Sequence, residues 1–475
     1  MFRVSISQGI IKILPLGIVI SILLSVLLDK SIILSISFGI AISMLISYSK
    51  NIYENFSVVF FTFTFMFFVL GSEIPNIIFN LSSFRNLGED VDLHYHISIF
   101  LSLIGLLIGY QIKRITRSDK FNIEKITKDE TVISIRYVAK KIFYFTFWLY
   151  ILPVLERSLY VRSFSYYESY ISYQTAIPYI FIFIGNLCPI AFSLYLATFP
   201  EKNDCRKPII MYMIYAVLYL FTGKRYLMVS SILFLITYLL IRNKTDFTSG
   251  IVWIKKRTIL FFISLLPLLG IALAAYSTIR VGADLDSNTT IYSLIVTLFT
   301  SVADTDKVIK YGYILQDFFP EGHVYSIGNI IDYFKFGTIA KVLFDNTVIV
   351  SQTVEYAMEG NNFSYTLSYL YYPTMYLSGH GLGSCYIAEL YQDAGYLGIL
   401  LGNILIGILL RNLFVINNVS VWRNAFVIYT YRLLLLVPRS SFDVIFREVF
   451  AISYILSVFI IFILIKKHKD IRSFL

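Results

Sequence analysis

The chain has 475 residues, of which 57% are hydrophobic and only 15% charged, and it carries a formal net charge of +10. Soluble domains carry about 25% charged residues and divide beyond about 250–300 residues, so a single water-borne core cannot hold this much apolar side chain. The three cysteines, Cys188, Cys205 and Cys385, form no CxxC pair and no Cys/His ligand spacing, which argues against a disulfide framework and a zinc site.

Apolar stretches near the roughly 20 residues needed to cross hydrocarbon recur from end to end. The first runs up to Asp29 with no small-residue cleavage site before it, and is read as a retained helix rather than a signal peptide. The expected spans are 10–28, 31–47, 56–79, 97–112, 137–155, 176–199, 209–222, 226–241, 258–276, 394–410, 424–437 and 450–465. They amount to about twelve crossings in one all-α, polytopic membrane domain over 1–475.

Of the 40 Lys and Arg residues, 26 then fall on one face, in the N-terminus, the run from Lys113 to Lys141, the short connections and the tail after Lys466. An excess of Lys and Arg in short loops marks the cytoplasmic side, so both termini are expected there. The positive charge is thus an orientation signal, not a nucleic-acid footprint. The opposite face carries one long external segment, 277–393. Within it, IYSLIVTLFTSVA and IGNIIDYFKFGTIAKVLF are too short or too polar to span and read as re-entrant or interfacial helices.

Lys224 and Arg225 stand in a GKR turn between two apolar runs. The preceding run, 209–222, rises only about 21 Å against about 30 Å of hydrocarbon, which would set this turn below the surface. Arginine at that depth costs about 2.5–3.5 kcal/mol, so it either faces a cavity or partner or snorkels to head groups. Arg280 follows the ninth span, where an interface anchor is the plain alternative. Arg432, Arg439 and Arg447 lie in YRLLLLVPRSSFDVIFREVF. Arg432 and Arg439 share one helical face if the helix runs through Pro438, which can instead end it. Arginine suits bidentate phosphate recognition, and these cations from three parts of the chain point to an anion held at the membrane surface.

The external segment closes with GHGLGSCYIAELYQDAGYLG, whose glycines permit turns closed to other residues. His380 and Glu389 flank this entry and are candidates for a general base, set against an ordinary loop histidine and a partner for an arginine. Tyr365, Tyr372 and Tyr376 crowd the same region, either as an aromatic interface belt or as a platform for sugar rings.

The FTGKR turn, the GHGLGSCYIAELYQDAGYLG stretch, the VPRSS ending and the late external loop together resemble the Wzy-type O-antigen and capsular repeat-unit polymerases. The resemblance implies a GT-C-like helical glycosyltransferase at the periplasmic face of a bacterial inner membrane. It would join undecaprenyl-diphosphate-linked oligosaccharide units, as donor and acceptor, without cofactor or metal, alongside a flippase and a chain-length regulator. It further implies that Arg225, Arg280, Arg432 and Arg439 bind the diphosphate. An O-antigen ligase, a lipid-linked oligosaccharide flippase and a small-solute transporter remain the alternatives. The apparent lack of internal repeats counts against the flippase and the transporter.

Overall fold

The computed structural model describes residues 15–22, 31–74, 87–112, 129–164, 172–224, 226–245, 251–255, 257–258, 271–272, 275, 296, 305–337, 340, 350–416 and 420–473. Every regular element among the described residues is helical. In chain order these are α1 (Ile32–Ser49), α2 (Ile52–Phe68), α3 (Glu89–Gln111), α4 (Glu130–Ser163), α5 (Tyr179–Gly185), α6 (Leu187–Ala197), α7 (Lys202–Leu220) and α8 (Tyr226–Thr245). There follow α9 (Thr305–Ile314), α10 (Gly328–Lys335), α11 (Val354–Glu359), α12 (Phe363–Tyr371), α13 (Pro373–Leu377), α14 (Tyr386–Asn412), α15 (Val421–Leu434), α16 (Val444–Phe450) and α17 (Ile452–Ser473).

Among the described residues five spans are long and apolar enough to cross a membrane: α1, α3, α4, the joined α5–α6 and α14. The bent pair α16–α17 makes a sixth if counted as one crossing, and α2 and Leu227–Asn243 of α8 are shorter apolar helices. The expected span 258–276 lies almost wholly outside the described residues, and 10–28 lies there in part.

The seventh expected span begins as a helix at Lys202, not 209, and runs through Pro208 in its second turn. At 1.5 Å per residue its 19 residues rise about 28 Å, but Lys202, Asp204, Arg206 and Lys207 fill its first two turns and its apolar part still begins after Lys207.

α3 and α14 pack along their length. A Cβ on Gly109 would lie 2.1 Å from the Ile404 carbonyl oxygen, so this crossing exists only because Gly109 lacks one. Such small-residue contacts let helix backbones approach where lipid gives no hydrophobic drive to association. Polar bonds tie the same layer: Ser57 Oγ donates to the Leu410 carbonyl at 3.0 Å, and Tyr110 to Asn55 Oδ1 at 2.8 Å. A second group packs α6 against α4, α15 and α17.

Several cations assigned to one face by charge do gather at one end of this bundle. Arg136 donates to the Thr198 carbonyl (2.7 Å), Arg242 to that of Pro200 (2.8 Å) and Lys202 to that of Val252 (2.7 Å). Lys140 pairs with Asp204 at 2.9 Å.

α14 is broken at Ala394–Gly395, where Gly395 has φ +59° and ψ −150°. That conformation is essentially reserved for glycine. The break separates a membrane-length helix from an N-terminal half-helix, 386–393.

Candidate functional site

The end opposite the cation-rich one is organised by three buried carboxylates, Glu389, Asp443 and Asp332, and the half-buried Asp393. Glu389, on the outer half of α14, accepts from Ser384 Oγ (2.5 Å) and from the Phe442 amide (2.8 Å). The Cys385 thiol approaches the Pro438 carbonyl at 3.8 Å. The PRSSFD turn is thereby fastened to the GSCYIAEL turn. Asp443 accepts from Asn329 Nδ2 (3.0 Å) and the Ile330 amide (3.1 Å), holding the first turn of α10. Asp332 accepts from the amide and side chain of Asn361, each at 2.9 Å. Burial pushes the Asp332 carboxyl up, against the pull of those Asn361 donors. Asp393, just before the α14 break, accepts from the amides of Tyr325 (2.7 Å) and Ser326 (2.8 Å). Each buried acceptor is satisfied, as it must be in a low-dielectric joint.

The glycine turn forms as expected, with Gly379 at φ +92° and Gly383 at φ +81°. Ser368 closes it by accepting from the Leu382 amide at 3.0 Å. His380 is half-buried with Nδ1 3.1 Å from Ser378 Oγ. Glu389 bonds Ser384 and Phe442 rather than His380, so the two candidate bases are not one hydrogen-bonded pair.

The helix carrying Arg432 does not continue through Pro438. α15 ends at Leu434, and Pro438 sits in a separate 3-10 turn, Val437–Arg439, where the proline's missing N–H and its ring disfavour continuing the α-helix. Arg439 therefore leaves the face of Arg432, and its guanidinium carbon lies 5.7 Å from the Phe68 ring. Arg432 turns into a cage of tyrosines. Its guanidinium carbon is 5.6 Å from the Tyr429 ring, and Tyr150, Tyr212 and Tyr215 are close enough to interact with its charge. Tyr150 and Tyr215 stack on each other at 4.5 Å. Among the described residues no carboxylate lies within ion-pairing distance of Arg432.

Arg447 pairs weakly with its neighbour Glu448 at 4.0 Å and reaches electrostatically toward Tyr356 and Tyr365. Tyr365 and Tyr376 rings lie 5.9 Å apart, with Tyr376 buried and its hydroxyl donating to the Thr353 carbonyl (3.1 Å). Tyr372 is exposed beside Tyr371. Lys224 meets Arg157 of α4, and burial together with that second cation pushes its ammonium down to about 8. Arg225 and Arg280 lie outside the described residues. The sequence reading missed Arg157, which stands on the same face of α4 as Tyr150, seven residues earlier. It also missed Asp443, Asp332 and Asp393, whose partners are remote in sequence. Among the described residues no cluster of three or more His, Cys, Asp or Glu is placed to hold a metal ion.

Long apolar helices closed by close small-residue and polar contacts define a multi-pass, all-helical membrane protein. The sequence profile of the O-antigen polysaccharide polymerase Wzy family matches residues 9–469, and the chain belongs to that family. It is therefore a polymerase of polysaccharide biosynthesis, with glycosyltransferase-type activity on lipid-linked oligosaccharide repeat units. No curated protein and no solved structure matches the chain.

Proposed function

We propose that the protein polymerises undecaprenyl-diphosphate-linked repeat units into O-antigen or capsular polysaccharide at the periplasmic face of a bacterial inner membrane. Both termini are cytoplasmic in this reading, and 277–393 is the periplasmic segment of a GT-C-like bundle of about twelve crossings. A flippase supplies the units and a chain-length regulator limits the product.

The observation that carries the site is Arg432: a cation in the last turn of α15, set among Tyr150, Tyr212, Tyr215 and Tyr429, with no carboxylate within ion-pairing distance among the described residues. An intramembrane charge of this kind marks a ligand site. The diphosphate of the lipid carrier supplies the missing negative charge, and Lys224, Arg225, Arg280, Arg439 and Arg447 extend the basic surface that receives it. In the reaction a hydroxyl of the acceptor unit attacks the anomeric carbon of the growing chain. The carbon–oxygen bond to the diphosphate breaks, the hydroxyl proton passes to a base, and undecaprenyl diphosphate leaves with the electron pair. The cations stabilise the charge that develops on that leaving group, with no metal required.

His380, half-buried on a glycine turn, is the proposed base. Glu389 is assigned a positioning role instead, since one of its oxygens accepts from Ser384 and the other from the Phe442 amide of the turn that carries Arg439. The exposed ring of Tyr372 offers a sugar platform, and Tyr365 and buried Tyr376 back it.

Deletion of the gene tests this. Loss of a polymerase leaves surface glycans bearing a single repeat unit, because export and ligation persist. Long polymer stranded on its lipid carrier would instead assign a ligase, and loss of all surface glycan a flippase.

A further inference from the structure

In water a segment such as GNIIDYFK folds with Ile and Phe inward and Asp and Lys outward. In α10 the Asp and the Phe are exchanged, while Ile330 and Ile331 are half-buried and Lys335 is exposed. Asp332 is 3% exposed and Phe334 is 49% exposed. Ile327, at the N-terminal cap of the helix, is 46% exposed, while the carboxylates of Asp332 and Asp443 are buried against Asn361, Asn329 and the Ile330 amide. This layer has a polar inside and an apolar outside.

We infer that this inverted face of α10 lies in the hydrocarbon edge of the bilayer, with lipid acyl chains as its occupant. Three further observations choose lipid. First, α16, on which α10 packs, departs by 57° from α17 at Ala451, so it turns from the span toward the membrane plane. Second, the Tyr333 hydroxyl of α10 accepts from the Ile452 amide at 3.0 Å, which seats α10 at the head of α17. Third, α17 exposes Ile452, Ile455, Leu456 and Phe459 at helical spacing, and this stripe begins at Ile452, the residue whose amide donates to the Tyr333 hydroxyl of α10. A stripe of this kind on a membrane-crossing helix faces acyl chains, and the bond from Ile452 to Tyr333 places α10 beside its start. Lys335, exposed at the end of α10, is placed to meet phospholipid head groups. The polar joint behind α10 is thus held at the membrane surface and not out in water.

The inference rests on burial and not on the polymerase reading, so an inserted but inactive protein tests it equally. Nitroxide labels on Ile327→Cys, Phe334→Cys and, as an aqueous control, Glu321→Cys would be compared in phosphatidylglycerol/phosphatidylethanolamine vesicles. The native cysteines are all buried and do not compete. The expected ratio of collisions with dissolved oxygen to collisions with a water-soluble nickel chelate is several-fold higher at 327 and 334 than at 321. Equal nickel access at all three positions would overturn the inference. So would labels at 327 and 334 shielded from both reagents and broadened by spin–spin contact, which would make the occupant a second copy of the chain. Should a cysteine variant fail to insert, Phe334→Trp with brominated lipid decides the matter: added fluorescence that is quenched supports lipid contact, and unquenched fluorescence contradicts it.

Discussion

Arg432 shows how far single residues can be read. Its place inside an apolar run was enough to mark it, because such a charge is costly wherever the chain puts it. Its company was not readable: Tyr150 and Tyr215 come from α4 and α7, hundreds of positions away. The same holds for Asp443, 114 positions from the Asn329 it binds. A carboxylate alone in sequence gives no signal of a buried joint. At this scale the account predicts that arginine geometry matters beyond charge. Arg432→Lys and Arg439→Lys keep the charge and lose the planar fork. Polymer yield should fall at least about tenfold, or about 1.4 kcal/mol in the barrier, with the protein still inserted. Near-normal polymer from both variants, read on a gel of surface glycans, would reject the diphosphate clamp.

The elements were legible where composition changes abruptly. The apolar run expected to begin at 394 does begin there, at the Ala394–Gly395 break of α14. The helix on its outer side, 386–393, stayed hidden because Glu389, Gln392 and Asp393 make it look like loop, although Glu389 and Asp393 are in fact joining carboxylates. Pro438 could be read as ending a helix or kinking it; the structure ends it. α7 starts early because charged residues in a first helical turn are neutral to an apolar count. The break in α14 gives a prediction. No atom lies within 4 Å of a Cβ on Gly395, so Gly395→Ala introduces backbone strain and no clash. The cost should be about 1–3 kcal/mol, seen as a lower midpoint of thermal aggregation in detergent. An unchanged midpoint would show that the break is not held in this conformation.

On the scale of the whole molecule, charge sorting and hydropathy were enough to read a helical membrane protein, and the gathering of Arg136, Arg242 and Lys202 at one end follows that sorting. The number of crossings was less legible, because span length alone does not separate a crossing from a re-entrant or interfacial helix. The inverted face of α10 is such a case: apolar enough to call attention, too short to cross. Under the proposed function, the polar joint, the glycine turn and the arginine among tyrosines are what the protein offers to a lipid-linked glycan. The most direct test supplies purified protein in vesicles with synthetic undecaprenyl-diphosphate repeat units and a divalent-metal chelator. The account predicts a ladder of oligomers with release of undecaprenyl diphosphate, whereas units that remain single with or without added metal would contradict it.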